Sequence, residues 1–294
     1  MLGEFLKRGF RPTRTARSCR TGRIERKNLQ NRKKKTTFVR NRNTDTTNKK
    51  NLTNSLPMKK LFLLLSLAML ASGCDKGKEE QGGVLPVTFE DPAFGNYCTS
   101  QYDTNGDGVL TNDEAASVTT LTLDANTDKK LTGITSLSGI ENFTGLEKLS
   151  CTMCEFTSVD LSRNTRLKDL ALMYGKLTAL DVSRLPELET LNCNNNALTS
   201  IDLSHNPKLR SLFVQGNRLT ALDVGHNPEL ELLYINMTPN FTNQIETLDV
   251  TKNPKLTQLF AIQMTSLKEL RMLQAHKDAN MLISVPETTR IIYE

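Results

Sequence analysis

From Leu146 onward the chain repeats itself every 21 residues. Units open at Leu146, Leu167, Leu188, Leu209 and Leu230, and a longer step of 26 residues leads to Leu256. Counted from each opening Leu, offsets 0, 3, 5, 10, 13 and 15 are apolar or Cys. In the third unit these are Leu188, Leu191, Cys193, Leu198, Ile201 and Leu203. A fixed period of this length is the mark of a repeat architecture. One unit cannot bury its apolar face alone, so neighbours stack and share a continuous core. The pattern predicts a mainly β solenoid of the α/β type with about seven turns, one strand per turn, curved and right-handed as parallel crossovers are.

The period loosens at both ends. The fifth unit keeps Leu230, Leu233 and Ile235, takes an excursion of about five residues through Met237–Phe241, and resumes at Ile245, Leu248 and Val250. Upstream, Val118, Leu121 and Leu123, then Ile134, Leu137 and Ile140, read as a divergent first turn. The repeats are expected over residues 118–272, with 273–294 losing the pattern and capping the open end.

Stacking turns places equal offsets in columns about 4.8 Å apart. Offset 8 holds Cys154, Gly175, Asn196 and Asn217, with Asn243 after the insertion; Asn there is expected to bond the backbone of its turn, and the ladder to weaken towards Cys154 and Gly175. Asp160, Asp181, Asp202, Asp223 and Asp249 form an acidic column, expected to bond the following turn. Arg163, Arg184, His205, His226 and Lys252, three residues on, would offset its charge. Offset 4, facing outward on the strand, ends in Phe213, Tyr234 and Phe260. Aromatics make up 5% of the chain, so three in one exposed column stand out. Exposed aromatics make low-entropy binding anchors, and these three are the candidate ligand-binding residues. Cys151 and Cys193 fall at the core offset 5 and are expected to act as small apolar groups; Cys98 and Cys154 are the remaining candidates for a disulfide.

Ahead of the repeats, residues 103–114 read Asp-Thr-Asn-Gly-Asp-Gly-Val-Leu-Thr-Asn-Asp-Glu. This matches the calcium loop of the EF-hand at every constrained position. Asp103, Asn105 and Asp107 would give side-chain oxygens, Val109 its carbonyl, Thr111 an oxygen directly or through water, and Glu114 a bidentate carboxylate; Gly108 permits the sharp turn. Leu110 is expected to face inward. The loop stands alone, so calcium is expected as a structural ion in a small helical cap over residues 87–117, with a short incoming helix near Asp91–Tyr102 that Gly95 weakens.

The sequence pI near 9.0 suggests a polyanion partner until the charge is divided. Residues 1–57 hold 17 Lys and Arg against three acids, leaving 21 bases and 29 acids for the remainder. The basic arm shows no apolar period and cannot bury enough surface to fold. At Met58 the chain reads MKKLFLLLSLAMLASGC: a charged start and an apolar run too short to span a bilayer, as in a secretory signal peptide over residues 58–73. Met58 is therefore the expected start. Leu70-Ala71-Ser72-Gly73-Cys74 resembles a bacterial lipobox, although its favoured Leu stands one place early. The resemblance implies diacylation of Cys74, a flexible tether over 74–86 and membrane attachment through the lipid alone. Asp75-Lys76-Gly77-Lys78-Glu79-Glu80 looks like the surface-export signal of Bacteroidota lipoproteins, which implies an outer-membrane, outward-facing location. Without residues 1–73 the chain carries −10, and nucleic acid is not an expected partner.

The full unit, L-x-x-L-x-C/L-x-x-N-x-L-T-x-L-D-L/V-S-x-N-P-x, resembles the internalin-type leucine-rich repeats of bacterial surface proteins. The 21-residue length and the Cys at offset 5 resemble the internalin-J-like group. The region before the repeats, with PVTFEDPAFGNYC, DTNGDG and SLSGIENFTGLEKL, looks like the N-terminal cap of leucine-rich surface lipoproteins of Bacteroidota; together the resemblance covers residues 74 to about 272 and implies a non-enzymatic surface module, monomeric, binding a protein or glycan on its concave face. The alternative is an accessory subunit of an outer-membrane complex. No GxSxG, P-loop, HExxH or paired-Cys motif is read, and the three His do not stand beside a nucleophile.

Overall fold

A computed structural model describes residues 85–238 and 242–294. It begins with a cap of two helices, α1 (Pro92–Tyr102) and α2 (Asn112–Ser117). Then follow β1 (Thr120–Asp124), two 3-10 turns at Lys129–Leu131 and Ile140–Asn142, and one short strand per repeat: β2 (Lys148–Thr152), β3 (Asp169–Met173), β4 (Thr190–Asn192), β5 (Ser211–Phe213) and β6 (Leu232–Tyr234). The chain closes with β7 (Thr247–Asp249), β8 (Gln258–Phe260), β9 (Glu269–Met272), α3 (Gln274–Asp278), β10 (Leu282–Ser284) and β11 (Arg290–Tyr293). Strands β1, β2, β3, β4, β5, β6, β8 and β10 form one sheet in that order, and its pairs are all parallel. The molecule is a mainly β leucine-rich repeat solenoid of about seven turns.

Register follows the count of residues. Leu149, Leu170, Leu191, Leu212 and Leu233 are laterally paired, and Leu259 follows across the longer step. These six side chains are fully buried. The pleat then turns the neighbouring positions outward, which yields the buried residue between two half-buried ones seen in β4, β5, β6 and β8. The offset-13 column is the loosest, because Val159 and Ile201 pack only partly against the core.

The excursion in the fifth unit does not disturb the sheet, because β6 pairs directly with β8. The intervening β7 instead lies in a second sheet of order β11-β9-β7, built from the back halves of the last units. Residues 273–294, expected to leave the repeat, add one strand to each sheet: Ile283 pairs with Leu259, and Ile291 with Leu270.

Two asparagine ladders fasten the turns. At offset 8, Asn196 Nδ2 donates to Leu172 O at 2.7 Å and Cys193 O at 3.1 Å, while its Oδ1 accepts from Leu177 N at 3.1 Å. Asn217 and Asn243 do the same one and two turns on. These side chains satisfy backbone groups that a buried corner would otherwise leave unpaired. At offset 18, Asn164, Asn206, Asn227 and Asn253 each donate to two carbonyls of the turn before; Asn227 reaches Leu203 O at 3.0 Å and Asn206 O at 2.9 Å. Leu185 fills this column in the second unit, and buried His276 ends it with Nε2 3.0 Å from Asn253 O.

The cysteine expectation needs correction. Cys151 is bonded to Cys154, with Cα atoms 6.3 Å apart, and Cys98 and Cys193 are free and buried. The pair forms because Met153, with φ 62°, folds the chain back and brings offset 8 over offset 5. The same reversal lets Asn196 reach Cys193 O. The disulfide thus stands where the ladder lacks its Asn. The C-x-x-C spacing of Cys151 and Cys154 stands in the sequence, but offset 5 by itself reads as core. Burial pushes the Cys193 thiol up to about 12, so it stays protonated and inert as a small apolar group.

Candidate ligand-binding face and calcium loop

Parallel register brings Phe213, Tyr234 and Phe260 side by side on the outward face of the large sheet. Ring centroids of Phe213 and Tyr234 are 5.1 Å apart, and those of Tyr234 and Phe260 are 4.7 Å apart in a stacked arrangement. The spacing is the strand spacing, which leaves each ring no room to turn away from its neighbour. Tyr234 thus has a neighbouring ring on each side, while Asn192 and Ser284 stand beside the outer sides of Phe213 and Phe260. The Tyr234 hydroxyl donates to Gln258 Oε1 at 2.9 Å. The C-terminal segment continues beside the strip, since Ser284 pairs with Phe260 in the next place of the column.

The strip is framed by uncharged residues. Leu232 is half-buried, Ile262 is 43% exposed and Leu282 54% exposed. None of the strands β4, β5, β6, β8 and β10 contains a charged residue. Charges gather on the flanks and cancel between neighbouring turns: Lys168 with Glu147 at 3.0 Å, Lys208 with Glu187 at 2.6 Å, and Arg210 with Glu231 at 2.8 Å. Exposed pairs of this kind add little stability, and here they leave the rim close to neutral.

The acidic column behaves as expected in its hydrogen bonds. Asp160, Asp181, Asp202, Asp223 and Asp249 each accept from the backbone N–H two residues on, at 2.8–2.9 Å. Those N–H groups hold the Asp160, Asp181 and Asp202 carboxyls below the usual carboxylate range. The proposed compensation is weaker than foreseen. No ion pair joins this column to Arg163, Arg184 or Lys252 among the described residues, although the charges of Arg163, Arg184, His205 and Lys252 help, less than the hydrogen bonds, to hold Asp160, Asp181, Asp202 and Asp249 low.

The cap has the helix–loop–helix order that the loop motif demands. Asp91 caps α1 through Ala93 N and Phe94 N, and Gly95 serves close packing, since a Cβ there would stand 3.0 Å from Phe89 Cβ. Asp103 Oδ1 and Oδ2 accept from Gly106 N and Gly108 N, each at 2.8 Å. Asn105 Oδ1 accepts from Asp107 N, and Asp107 Oδ1 from Val109 N. Glu114 spans the loop: Oε1 accepts from Thr104 N and Oγ1, and Oε2 from Thr111 N and Oγ1, completing a capping box on α2. The bonds from Thr111 and then Thr104 hold the Glu114 carboxyl at about 2. Among the described residues no group of three or more His, Cys, Asp or Glu stands close enough to hold a metal ion. The donor set nevertheless suits calcium in kind, being oxygen throughout.

The sequence did not reveal what would steady a solitary loop. Leu110 is buried, and its carbonyl accepts from Val87 N at 2.8 Å while Asn112 N donates to Leu85 O at 3.0 Å. The segment Leu85–Val87 therefore lies antiparallel to the loop, bridged at Pro86 and Thr111. Cys74 lies outside the described residues. Among those described, no helix is long and apolar enough to cross a membrane.

A family model of leucine-rich repeats in two copies matches residues 186–230. No curated protein matches the sequence. Among solved structures, the functional domain of InlJ from Listeria monocytogenes, described as including a cysteine ladder, is 24% identical with a TM-score of 0.39, covering 70% of this chain and 59% of its own. An internalin from the same organism, InlF, is 19% identical with a TM-score of 0.42, covering 72% of this chain and 74% of its own. Internalin C2 of that organism is 17% identical with a TM-score of 0.44, covering 74% and 99%. The chain thus spans less than two thirds of the length of the InlJ domain.

Proposed function

We propose that this protein is a non-enzymatic recognition module of the bacterial cell surface, anchored through a lipid on Cys74 at the outer membrane. Its concave face takes a protein ligand along Phe213, Tyr234 and Phe260. The observation that carries this reading is the stacked aromatic column on an uncharged sheet face. Sugar rings are held by lying flat on an open aromatic face, and Tyr234 has a neighbouring ring on each side. The rings, flanked by Leu232, Ile262 and Leu282, suit the apolar side chains of a protein instead.

Calcium belongs to the same proposal as a structural ion. Asp103, Asn105, Asp107, the Val109 carbonyl and Thr111 would hold it, and Glu114 would join by exchanging its bonds to Thr104. The ion would neutralise the loop's carboxylates and stiffen the cap that seals the first turn.

The test is binding of the full chain to panels of immobilised extracellular proteins and of glycans, compared with a variant in which Phe213, Tyr234 and Phe260 are all Ala. Loss of two or three such anchors should weaken a protein ligand about 100-fold or more. Binding confined to glycans, or unchanged in the triple variant, would sink the reading.

A further inference from the structure

One flank of the solenoid carries a charge order that neither the core nor the aromatic strip requires. It lies just before the strands, at the two residues that bracket each opening Leu. After that Leu stand Glu147, Lys168, Glu189, Arg210 and Glu231, and Thr257 ends the row. Their backbones stack in this order: each N–H from Lys168 to Thr257 donates to the carbonyl of the residue before it in the row, at 2.8–2.9 Å. Before the opening Leu the row reads Gly145, Arg166, Glu187, Lys208, Glu229 and Lys255. The two rows never disagree in sign within a unit. From the first unit to the sixth, the flank therefore carries one negative charge, two positive, two negative, two positive, two negative and one positive. The turns beyond are uncharged at both places, with Ser117 and Thr119 on one side and Ala279 and Met281 on the other. Lys148 and Asp169, one place further on, close on each other at 2.7 Å and add no net charge.

Ion pairs within the chain use most of these groups but miss the middle of the order. Lys168 turns back to Glu147 at 3.0 Å and Arg210 turns forward to Glu231 at 2.8 Å, so Glu189 between them joins no ion pair among the described residues. The order also inverts its sign when read backwards, because it spans an even number of units with matching ends. An odd number would read the same both ways and set like charges together. A two-fold contact lays a surface on its own reverse, residue i on residue j and j on i.

From these two observations we propose that this flank is the contact face of a homodimer. A second copy lies antiparallel across it, with the two-fold axis between the third and fourth units. Glu187 and Glu189 of one copy then face Lys208 and Arg210 of the other, and each outer unit likewise faces its opposite. Glu189, without an ion pair in its own chain, stands beside the axis and gains a cation there. The flank holds equal numbers of each sign, which gives an anionic membrane no net attraction. Exposed pairs add little affinity but fix alignment, so the dimer is weak, salt-sensitive and single in register. It stands in place of the monomer that the repeat resemblance implies, and it does not use the aromatic strip.

Sedimentation of the full chain tests this. The wild type should dimerise at about 0.05 M salt, and the dimer should weaken about tenfold or more at about 0.5 M. Glu189→Gln breaks no ion pair of its own chain, so Tm should hold while the dimer weakens about threefold or more. Two double variants then read the alignment. Lys208→Glu with Arg210→Glu makes units three and four both negative, and Glu187→Lys with Glu189→Lys makes both positive. Each alone should stay monomeric, whereas their equimolar mixture should form a one-to-one heterodimer, because each repairs the other across the axis. Thermal melts check that the double variants fold, and Glu189→Gln carries the test where one does not. A wild type that is monomeric at about 0.1 mM and low salt overturns the proposal. So does a dimer indifferent to salt or to Glu189→Gln, or a mixture of folded variants that stays monomeric, which would confine the charge order to pairing within the chain. Association that both double variants keep also overturns it, by assigning dimerisation to another surface.

Discussion

The first two repeat turns and the next three share one backbone and differ in how they are fastened and what they display. In the later turns, Asn196, Asn217 and Asn243 tie each corner by hydrogen bonds to two turns at once. In the earlier turns that column holds Cys154 and Gly175, and the Cys154 corner is closed by a covalent bond to Cys151. The later turns display Phe213, Tyr234 and Phe260, whereas the earlier ones display Ser150 and Ala171 beside a Lys148–Asp169 ion pair. The contrast shows that core, fastening and display are separate columns of the same repeat. The sheet register aligns equal offsets of neighbouring turns, while the fastening Asn crosses from offset 8 to the offset-5 carbonyl of the turn before.

This separation can be broken most forcefully at the shared core. Leu212 is fully buried between Leu191 and Leu233, so Leu212→Ala should cost about 2–5 kcal/mol, read by denaturant unfolding. An effect below about 1 kcal/mol would mean the turns do not share one core. The fastening columns come next. Asn217→Ala removes the donor to Cys193 O and Val214 O and strands Leu198 N, for about 1–3 kcal/mol. Cys154→Ser opens a loop of only a few residues, for about 2 kcal/mol at most. Reducing agent should reproduce the second loss and leave the Asn217 variant's deficit unchanged; equal sensitivity of both variants would deny the division.

The smallest effect belongs to the cap. The Glu114 carboxyl is held at about 2, below its ordinary 4.5, by Thr111 and Thr104. A depressed carboxyl contributes stability that is full above pH 4.5 and lost as pH falls towards 2. Hydrogen exchange at Thr104 and Thr111 should therefore quicken over that window in the wild type and not in Glu114→Gln. Millimolar calcium should slow the same exchange at neutral pH. Protection unaffected by calcium would remove the ion from the cap.

Counting residues sufficed for much of this. The lateral pairing of Phe213, Tyr234 and Phe260, the Asn196–Asn217–Asn243 ladder, and the Asp column's bonds to the next residues were all foreseeable, because parallel strands of fixed period must align equal offsets. The helix–loop–helix cap was legible from the loop motif alone. The offset-18 Asn was visible in the repeat, but its partners are carbonyls of the preceding turn, and no side-chain pattern marks those.

Other features depended on distance through space. The Cys151–Cys154 bond required knowing that a left-handed Met153 turns offset 8 back over offset 5. The docking of Leu85–Val87 on the loop of residues 103–114, and the return of residues 282–284 and 290–293 to the two sheets, involve segments outside the period, where counting has no purchase. The ring contacts on both sides of Tyr234 follow from side-chain orientation within a column. The sequence by itself determined the solenoid, its register and its columns, because a repeat makes neighbours in space a function of position in the chain. Tertiary structure alone decided how corners close, how the ends join and which surfaces stay open, because those contacts depend on backbone reversals that the period does not encode.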